Sequence, residues 1–256
     1  KRAYDVEKAA GTLLYTEDLQ FGPALLHARI VHSTVAHAEI VSIDASEALA
    51  MPGVLKVIVG KDFPYCFGLY IRDRNPIAIH RVRYVGDTVA LVVAETEEQA
   101  EAAVPKVKVV YKELPFVLDP VKAATSNDIL LHPDLGQYAK ESFINPQAGT
   151  NLGNWFKIRK GDTEKAFEEA ATIVEEVVSC PQVAHGFLEP YCCITQQEPS
   201  TGDLNIWTAA QSAFAVRDIL SKGLDIPLYK IRVIAPPIGG GFGGKEDYPS
   251  ALAGHA

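Results

Sequence analysis

The sequence has few cysteines, no long apolar run and no excess of positive charge, and each shortage removes a class of function. Its four cysteines, Cys66, Cys180, Cys192 and Cys193, make no C-x-x-C pair. Cys180, His185, Cys192 and Cys193 crowd one stretch, but their spacing fits no zinc or iron–sulfur pattern. They read as ordinary thiols, since free cysteine behaves as a small, commonly buried apolar residue. No apolar run approaches the ~18 residues that a membrane-spanning helix requires. The first ten residues lack the apolar segment of a secretory signal. The formal net charge of −8 leaves no basic footprint for nucleic acid. What remains is a cytoplasmic globular protein. Its 256 residues, 48% of them hydrophobic, suffice for one large or two ordinary domains with a real core. The chain starts without Met and stops just after Pro249-Ser250-Ala251 resembles a helix start, so it is expected to be a piece of a longer polypeptide.

The pattern along the chain is α/β. Residues 24–31 and 39–43 are strand-like. Asp44, with Glu47 three positions on, offers a capping box for a short helix to Met51, which Pro52-Gly53 stops. Residues 54–59 form the next apolar run. Residues 88–94 are almost wholly apolar, as in a strand covered on both faces. Thr96 and Gln99 make a second capping box, the helix runs to about Val104, and Pro105 ends it. Val107, Val109 and Tyr111 then alternate with lysines. These two strand–helix–Pro–strand units hint at an internal repeat. Residues 114–153 lack clear periodicity, carry Pro115, Pro120, Pro133 and Pro146 among many small polar residues, and read as a connection between domains. Beyond Trp155, Asp162 should cap a helix with Ala166, Phe167 and Ala170 on one face. The β-branched run 173–178 and the alternating runs 204–208 and 231–235 read as strands. Residues 212–222 read as a helix with an apolar stripe of Ala213, Val216, Ile219 and Leu220, and Gly223 is placed just past its end.

The chemistry concentrates in Gly239-Gly240-Gly241-Phe242-Gly243-Gly244-Lys245-Glu246. Glycines let a backbone approach a ligand closely and can build an anion-binding nest of N–H groups. Gly239, Gly241 and Gly244 fit G-x-G-x-x-G, and Gly239, Gly244 and Lys245 fit G-x-x-x-x-G-K. The first motif needs a following helix and strand, and the second needs Ser or Thr where Glu246 stands. If 204–208 and 231–235 are parallel strands joined by the intervening helix, the loops leaving both lie on one sheet edge, where ligands of open α/β sheets bind. Gln211 would then share a space with Phe242, its amide able to donate and to accept.

With Gln211 upstream of this loop, the chain resembles the molybdenum hydroxylases, the family of xanthine dehydrogenase and aldehyde oxidase. The resemblance rests on an ordered series. Its first part is Ser33-x-x-Ala36-His37-Ala38, Ile43-Asp44, Pro52-Gly53-Val54 and Val82-Arg83-Tyr84-Val85-Gly86-Asp87-x-Val89-Ala90. Its second is Gly161-Asp162, Leu188-Glu189-Pro190, Gln211 and the glycine loop. It implies an α/β hammerhead domain over 1–120, a connecting segment over 121–153, and over 154–256 the opening part of a molybdopterin-binding α/β domain. It implies the molybdenum cofactor, as molybdopterin or its cytosine dinucleotide form, with 2Fe-2S centres and FAD on partner domains or subunits. The remainder of the molybdopterin-binding subunit is a further implied partner, and a homodimer of the whole complex is expected.

By position, the resemblance implies that Gln211 hydrogen-bonds a molybdenum ligand. Phe242, with the backbone of Gly241 and Gly243, packs against the metal centre, and Glu246 binds a purine-like substrate. The implied reaction is hydroxylation of an aldehyde or an aromatic N-heterocycle with oxygen from water. The resemblance places no catalytic residue in this chain, because the family's general-base glutamate is expected beyond residue 256. The isolated chain should therefore be inactive. The rivals are a nucleotide-binding enzyme using the loop as a phosphate cradle, a degenerate scaffold of the same family, and a short subunit completed by another chain. His185 and His37 read as structural residues, the acidic run 95–101 as a solvated helix face, and Arg72, Arg74, Arg81 and Arg83 as a surface feature facing a partner subunit.

Overall fold

The computed structural model describes residues 4–247; the helix start expected at Pro249-Ser250-Ala251 lies outside them. After a short helix α1 (Asp5–Ala10), the N-terminal region runs β1 (His27–His32), β2 (Ala38–Asp44), α2 (Ser46–Leu49), β3 (Val54–Val59), β4 (Arg81–Val82), β5 (Thr88–Ala94), α3 (Glu97–Ala103) and β6 (Lys108–Glu113). These strands form two antiparallel three-stranded sheets, ordered β1-β5-β3 and β4-β2-β6. The hinted repeat appears as a pairing rule. In each strand–helix–strand unit, β2-α2-β3 and β5-α3-β6, the first strand pairs antiparallel with the second strand of the other unit. The two units clasp, and each contributes one strand to each sheet.

β5 explains why its sequence is so apolar. It is the central strand of its sheet, and alternate residues point into different cores. Ala90 and Val92 pack with Val31, Ala48 and Ala103, Leu91 packs with Ile58 and Ile77, and Val89 joins Ala38 and Val82. Each fully buried aliphatic side chain contributes about 1.5–3 kcal/mol relative to exposure, so both faces of this strand hold the region together.

The helix ends show where local pattern prevailed. α3 has the expected capping box: Thr96 Oγ1 accepts from the Gln99 N–H, and Gln99 Oε1 accepts from the Thr96 N–H at 3.0 Å. The expected box at Asp44 and Glu47 does not form. Asp44 accepts from the Ser46 N–H at 2.9 Å in a tighter turn, and Glu47 is drawn instead to Lys108 on the adjacent strand β6. Residues 114–153 fold back on the N-terminal region. They include α4 (Pro120–Thr125), capped by Asp119 and unforeseen in the sequence. Asn151 organises the stretch, donating to the carbonyls of Ala123 and Ile129 and accepting from the Leu131 N–H.

The second region holds α5 (Thr163–Glu169), β7 (Cys193–Gln197), β8 (Leu204–Thr208), α6 (Ala213–Leu224) and β9 (Ile231–Ile234). Asp162 caps α5 as expected, but α5 buries no residue; Phe167 is exposed and Ala170 lies past its end. The expected strand at 173–178 does not form: the segment has no regular secondary structure and no ladder partner among the described residues. β7, which was not foreseen, pairs antiparallel with β8. β8 and β9 are parallel and joined by α6, which meets the condition on which the shared sheet edge depended. Ile206, Val216, Leu220 and Ile231 form the core between helix and sheet. Ser212 caps α6. Its left-handed terminal residue is Asp225 (φ 55°), not Gly223, because the helix runs further. Gly223 instead gives room to the Tyr65 ring of the N-terminal region; a Cβ there would stand 2.5 Å from it. Phe67 and Ile219 are buried together beside Tyr65, and burial pushes the Tyr65 hydroxyl up to about 12.

Candidate functional site

The parallel pair β8–β9 sends both following loops off one sheet edge, and there the structure brings Gln211 onto the glycine loop. The Gln211 N–H donates to the Lys245 carbonyl at 2.8 Å. Its side-chain Oε1 accepts from the N–H groups of Gly243 and Lys245 at 2.9 and 3.1 Å. Two backbone donors fix which end of the amide is the oxygen. The Nε2 donor is therefore the end turned away from the loop, on an exposed residue. Gly241 is required for this approach, since a Cβ on it would lie 2.6 Å from Gln211 Oε1.

Phe242 sits at the tip of the turn closed by the Gly244 N–H and Gly241 carbonyl at 2.8 Å. Its φ of 49° is left-handed, rare for a residue with a Cβ, and such backbone costs about 1–3 kcal/mol. The ring is 73% exposed. A strained turn thus presents an aromatic ring outward beside a hydrogen-bond donor, while the face of Gly243 meets nothing within 4 Å.

Behind this surface lies a contact the sequence did not reveal. Lys245 is fully buried (0% exposed). Its Nζ donates to the Glu189 carbonyl at 2.8 Å and to Glu189 Oε2 at 2.9 Å, and it stands 4.6 Å from the centre of the Phe187 ring. Glu189 Oε2 also accepts from the Gly239 N–H at 2.8 Å. The only signal for the pair was that both residues fall in the fragments Leu188-Glu189-Pro190 and Gly244-Lys245. Glu246 is exposed between two anchored residues, Lys245 and Asp247, the latter held by Arg74 of the N-terminal region.

This geometry disfavours the phosphate-cradle reading. A P-loop lysine must reach its ligand, and Lys245 is buried against a carboxylate. The N–H groups of Gly239, Gly243, Gly244 and Lys245 are already used within the protein, so they make no nest. No helix has begun by Asp247.

The other candidates resolve as structural residues. His185 stacks on Phe187. His37 is buried and donates through Nδ1 to the Pro115 carbonyl at 2.6 Å. Burial pushes the Cys192 and Cys193 thiols up to about 11 and about 12, which keeps them protonated and poor as nucleophiles or metal ligands. Cys66 and Cys180, expected as buried or half-buried thiols, are exposed. Among the described residues no group of three or more His, Cys, Asp or Glu could hold a metal ion, and no helix is long and apolar enough to cross a membrane. Of the four arginines, Arg72 reaches Glu141 at 3.5 Å, Arg83 donates to the Leu131 carbonyl and Arg74 contacts Asp247.

The donor set suits a cofactor that brings its own metal and metal ligands, because it offers an amide N–H donor, an apolar ring and close glycine backbone but no protein metal ligand. Residues 144–255 match the description "Molybdopterin cofactor-binding domain", and residues 10–115 match "Aldehyde oxidase and xanthine dehydrogenase, a/b hammerhead domain". The second region is thus the molybdopterin-binding part of the chain. The chain belongs to the xanthine dehydrogenase and aldehyde oxidase family of molybdenum hydroxylases. It is 36% identical over 242 residues to a probable xanthine dehydrogenase subunit of Bacillus subtilis (strain 168), covering 94% of this chain and 30% of that protein. It is 32% identical to the xanthine dehydrogenase/oxidase of Mus musculus, covering 93% of this chain and 16% of that protein. The fold matches the reconstituted CO dehydrogenase from Oligotropha carboxidovorans at a TM-score of 0.84 and 30% identity, covering 98% of this chain and 32% of that one. The chain therefore spans about a third or less of these relatives.

Proposed function

We propose that this chain is the hammerhead (1–120), connecting segment (121–153) and opening part of the molybdopterin-binding domain (154–256) of a subunit that hydroxylates a purine-like N-heterocycle or an aldehyde with oxygen from water. The observation that carries the reading is the oriented amide of Gln211: both Oε1 partners are loop N–H groups, so Nε2 is left to donate outward.

In this reading Gln211 Nε2 donates a hydrogen bond to an acceptor ligand of the cofactor. Gly241 and Gly243 let the backbone approach it, and the Phe242 ring excludes water from that side. Glu246 takes the substrate, by hydrogen bonds from a purine-like ring or its exocyclic groups. When bound, the molybdenum cofactor supplies the Lewis-acid, two-electron redox centre. The general base is expected beyond residue 256, and iron–sulfur and FAD partners carry the electrons away. The relative named as a xanthine dehydrogenase subunit supports a purine-like substrate, while the likeness to an aldehyde oxidoreductase from Desulfovibrio gigas, at a TM-score of 0.77 and 29% identity, keeps aldehydes in the substrate class.

The test is to purify the native complex, measure molybdenum and iron by elemental mass spectrometry, and screen purines and aldehydes. Near-stoichiometric molybdenum is expected, with Gln211→Ala lowering turnover about 10–100-fold, the usual effect of losing a partner of a metal's ligands. An intact complex without molybdenum would leave the degenerate-scaffold reading. Turnover by the 256-residue chain alone would overturn the assignment of the base to a distant segment.

A further inference from the structure

We propose that Lys245, through its buried ion pair with Glu189, is the positioning residue that sets the orientation of the Gln211 amide and the Phe242 turn. The inference rests on the reading that Gln211 faces the cofactor.

Lys245 is the one loop residue that grips Gln211 by two backbone atoms. Its N–H donates to Gln211 Oε1 at 3.1 Å and its carbonyl accepts from the Gln211 N–H at 2.8 Å. Neither bond can persist in place unless the Lys245 backbone is itself held. The side chain does this from the opposite side, with Nζ on the Glu189 carbonyl and Oε2. Glu189 also grips the start of the loop: its Oε2 accepts from the Gly239 N–H, and its own N–H donates to the Gly239 carbonyl at 3.3 Å. Both ends of the loop, Gly239 and Lys245, are thus tied to one carboxylate residue. The strained Phe242 and the two Gln211 bonds lie between the ties.

A role in bulk stability explains this arrangement poorly. Burying a lysine and a glutamate costs desolvation that their attraction only partly offsets, and apolar replacements of such pairs are often neutral or stabilising. Glu189 Oε1 is moreover buried without a hydrogen-bond partner among the described residues, a further cost. An ion pair with directional donors does supply what an apolar contact lacks, which is a fixed distance between loop and neighbour. Without it, Gly243 and Lys245 would no longer be presented together to Oε1, and the amide could turn by half a rotation. The end facing the cofactor would then be an acceptor, repelled by acceptor ligands.

The test uses the intact, cofactor-loaded complex carrying Lys245→Met, Glu189→Gln or Gln211→Ala. Molybdenum content is measured by elemental mass spectrometry, and the Mo(V) electron paramagnetic resonance spectrum is recorded during reductive titration with dithionite, which requires no knowledge of the substrate. The expected result is that Lys245→Met shifts the Mo(V) signal in the same direction as Gln211→Ala while iron content stays unchanged. Glu189→Gln, which keeps the shape and a neutral acceptor, should give a smaller shift of the same sign. A wild-type Mo(V) signal in molybdenum-loaded Lys245→Met would overturn the proposal. Should Lys245→Met fail to assemble, Glu189→Gln decides, and an unshifted signal there overturns it equally. If Gln211→Ala itself leaves the signal unchanged, the cofactor-facing reading of Gln211 fails, and this inference fails with it. A shift in Gln211→Ala alone would remove only the positioning role of Lys245.

Discussion

In the hammerhead, Val82, Val89, Ala90 and Val92 are at 0% exposure, whereas Val174, Val177 and Leu188 in the second region stand at 83%, 95% and 95%. The residue types are alike, so apolar character does not explain the difference. What differs is the presence of a partner. Each hammerhead strand finds an antiparallel neighbour in the clasped units, and side chains on both faces of β5 meet helices or loops that cover them. The run 173–178 also carries four β-branched residues, around Glu175 and Glu176, but has no ladder among the described residues. β-propensity is mainly a fit to a pleated, half-buried surface, and such a surface must first exist. The region that leaves apolar chain in the open is also the one that carries Gln211 and Phe242. Around those two residues, order comes from hydrogen bonds and a buried ion pair, whereas the hammerhead relies on packed aliphatic layers.

Substitutions can break or sharpen this contrast. The largest effect is expected at Ile77, which is fully buried against Ile58 and Leu91. Ile77→Ala should lower stability by about 2–5 kcal/mol through lost burial and the cavity left behind, read from the shift in urea midpoint. A value under about 1 kcal/mol would mean that the hammerhead core is no better packed than the open region. A middle effect is expected at Gly223, where the two regions touch. Gly223→Ala improves helix propensity but drives a methyl into the Tyr65 ring. Overpacking of about 1–3 kcal/mol should outweigh the ~0.5–1 kcal/mol helix gain, giving a lower unfolding midpoint and altered tyrosine fluorescence. A raised midpoint would show that the contact yields easily and that the regions are only loosely joined. The smallest effect is expected at Val177. Val177→Asp in the 256-residue chain should change stability by less than about 0.5 kcal/mol, as for other exposed sites. A loss of several kcal/mol in the same measurement would show that the run is covered after all and would end the comparison.

Much of the fold was legible in advance because it is written in short-range chemistry. Thr96 and Gln99 cap α3, Ser212 caps α6, and the apolar stretch of β5 announces a doubly covered strand. Strands β8 and β9 were legible from their alternation, and the supposition that they are parallel, which the structure bears out, placed Gln211 at the glycine loop. The misreadings share one cause. Asp44 and Glu47 matched a capping box, yet Lys108 on another strand attracted Glu47 away. Gly223 looked like a helix stop, yet the Tyr65 ring required a small residue inside the helix. β7 escaped notice because its sequence, Cys-Ile-Thr-Gln-Gln, becomes a strand only beside β8.

By itself the sequence determined the α/β character, the caps and the glycine loop, because each depends on residue type and spacing over a few positions; it brought Gln211 to the loop only on the supposition that β8 and β9 are parallel. Only the tertiary structure decided which amide atom of Gln211 faces outward, that Phe242 occupies a strained turn, and that Lys245 is buried on Glu189, 56 positions away. Those features depend on which backbone donors and which charge the fold brings within about 3 Å of one another, and no local pattern encodes such distances.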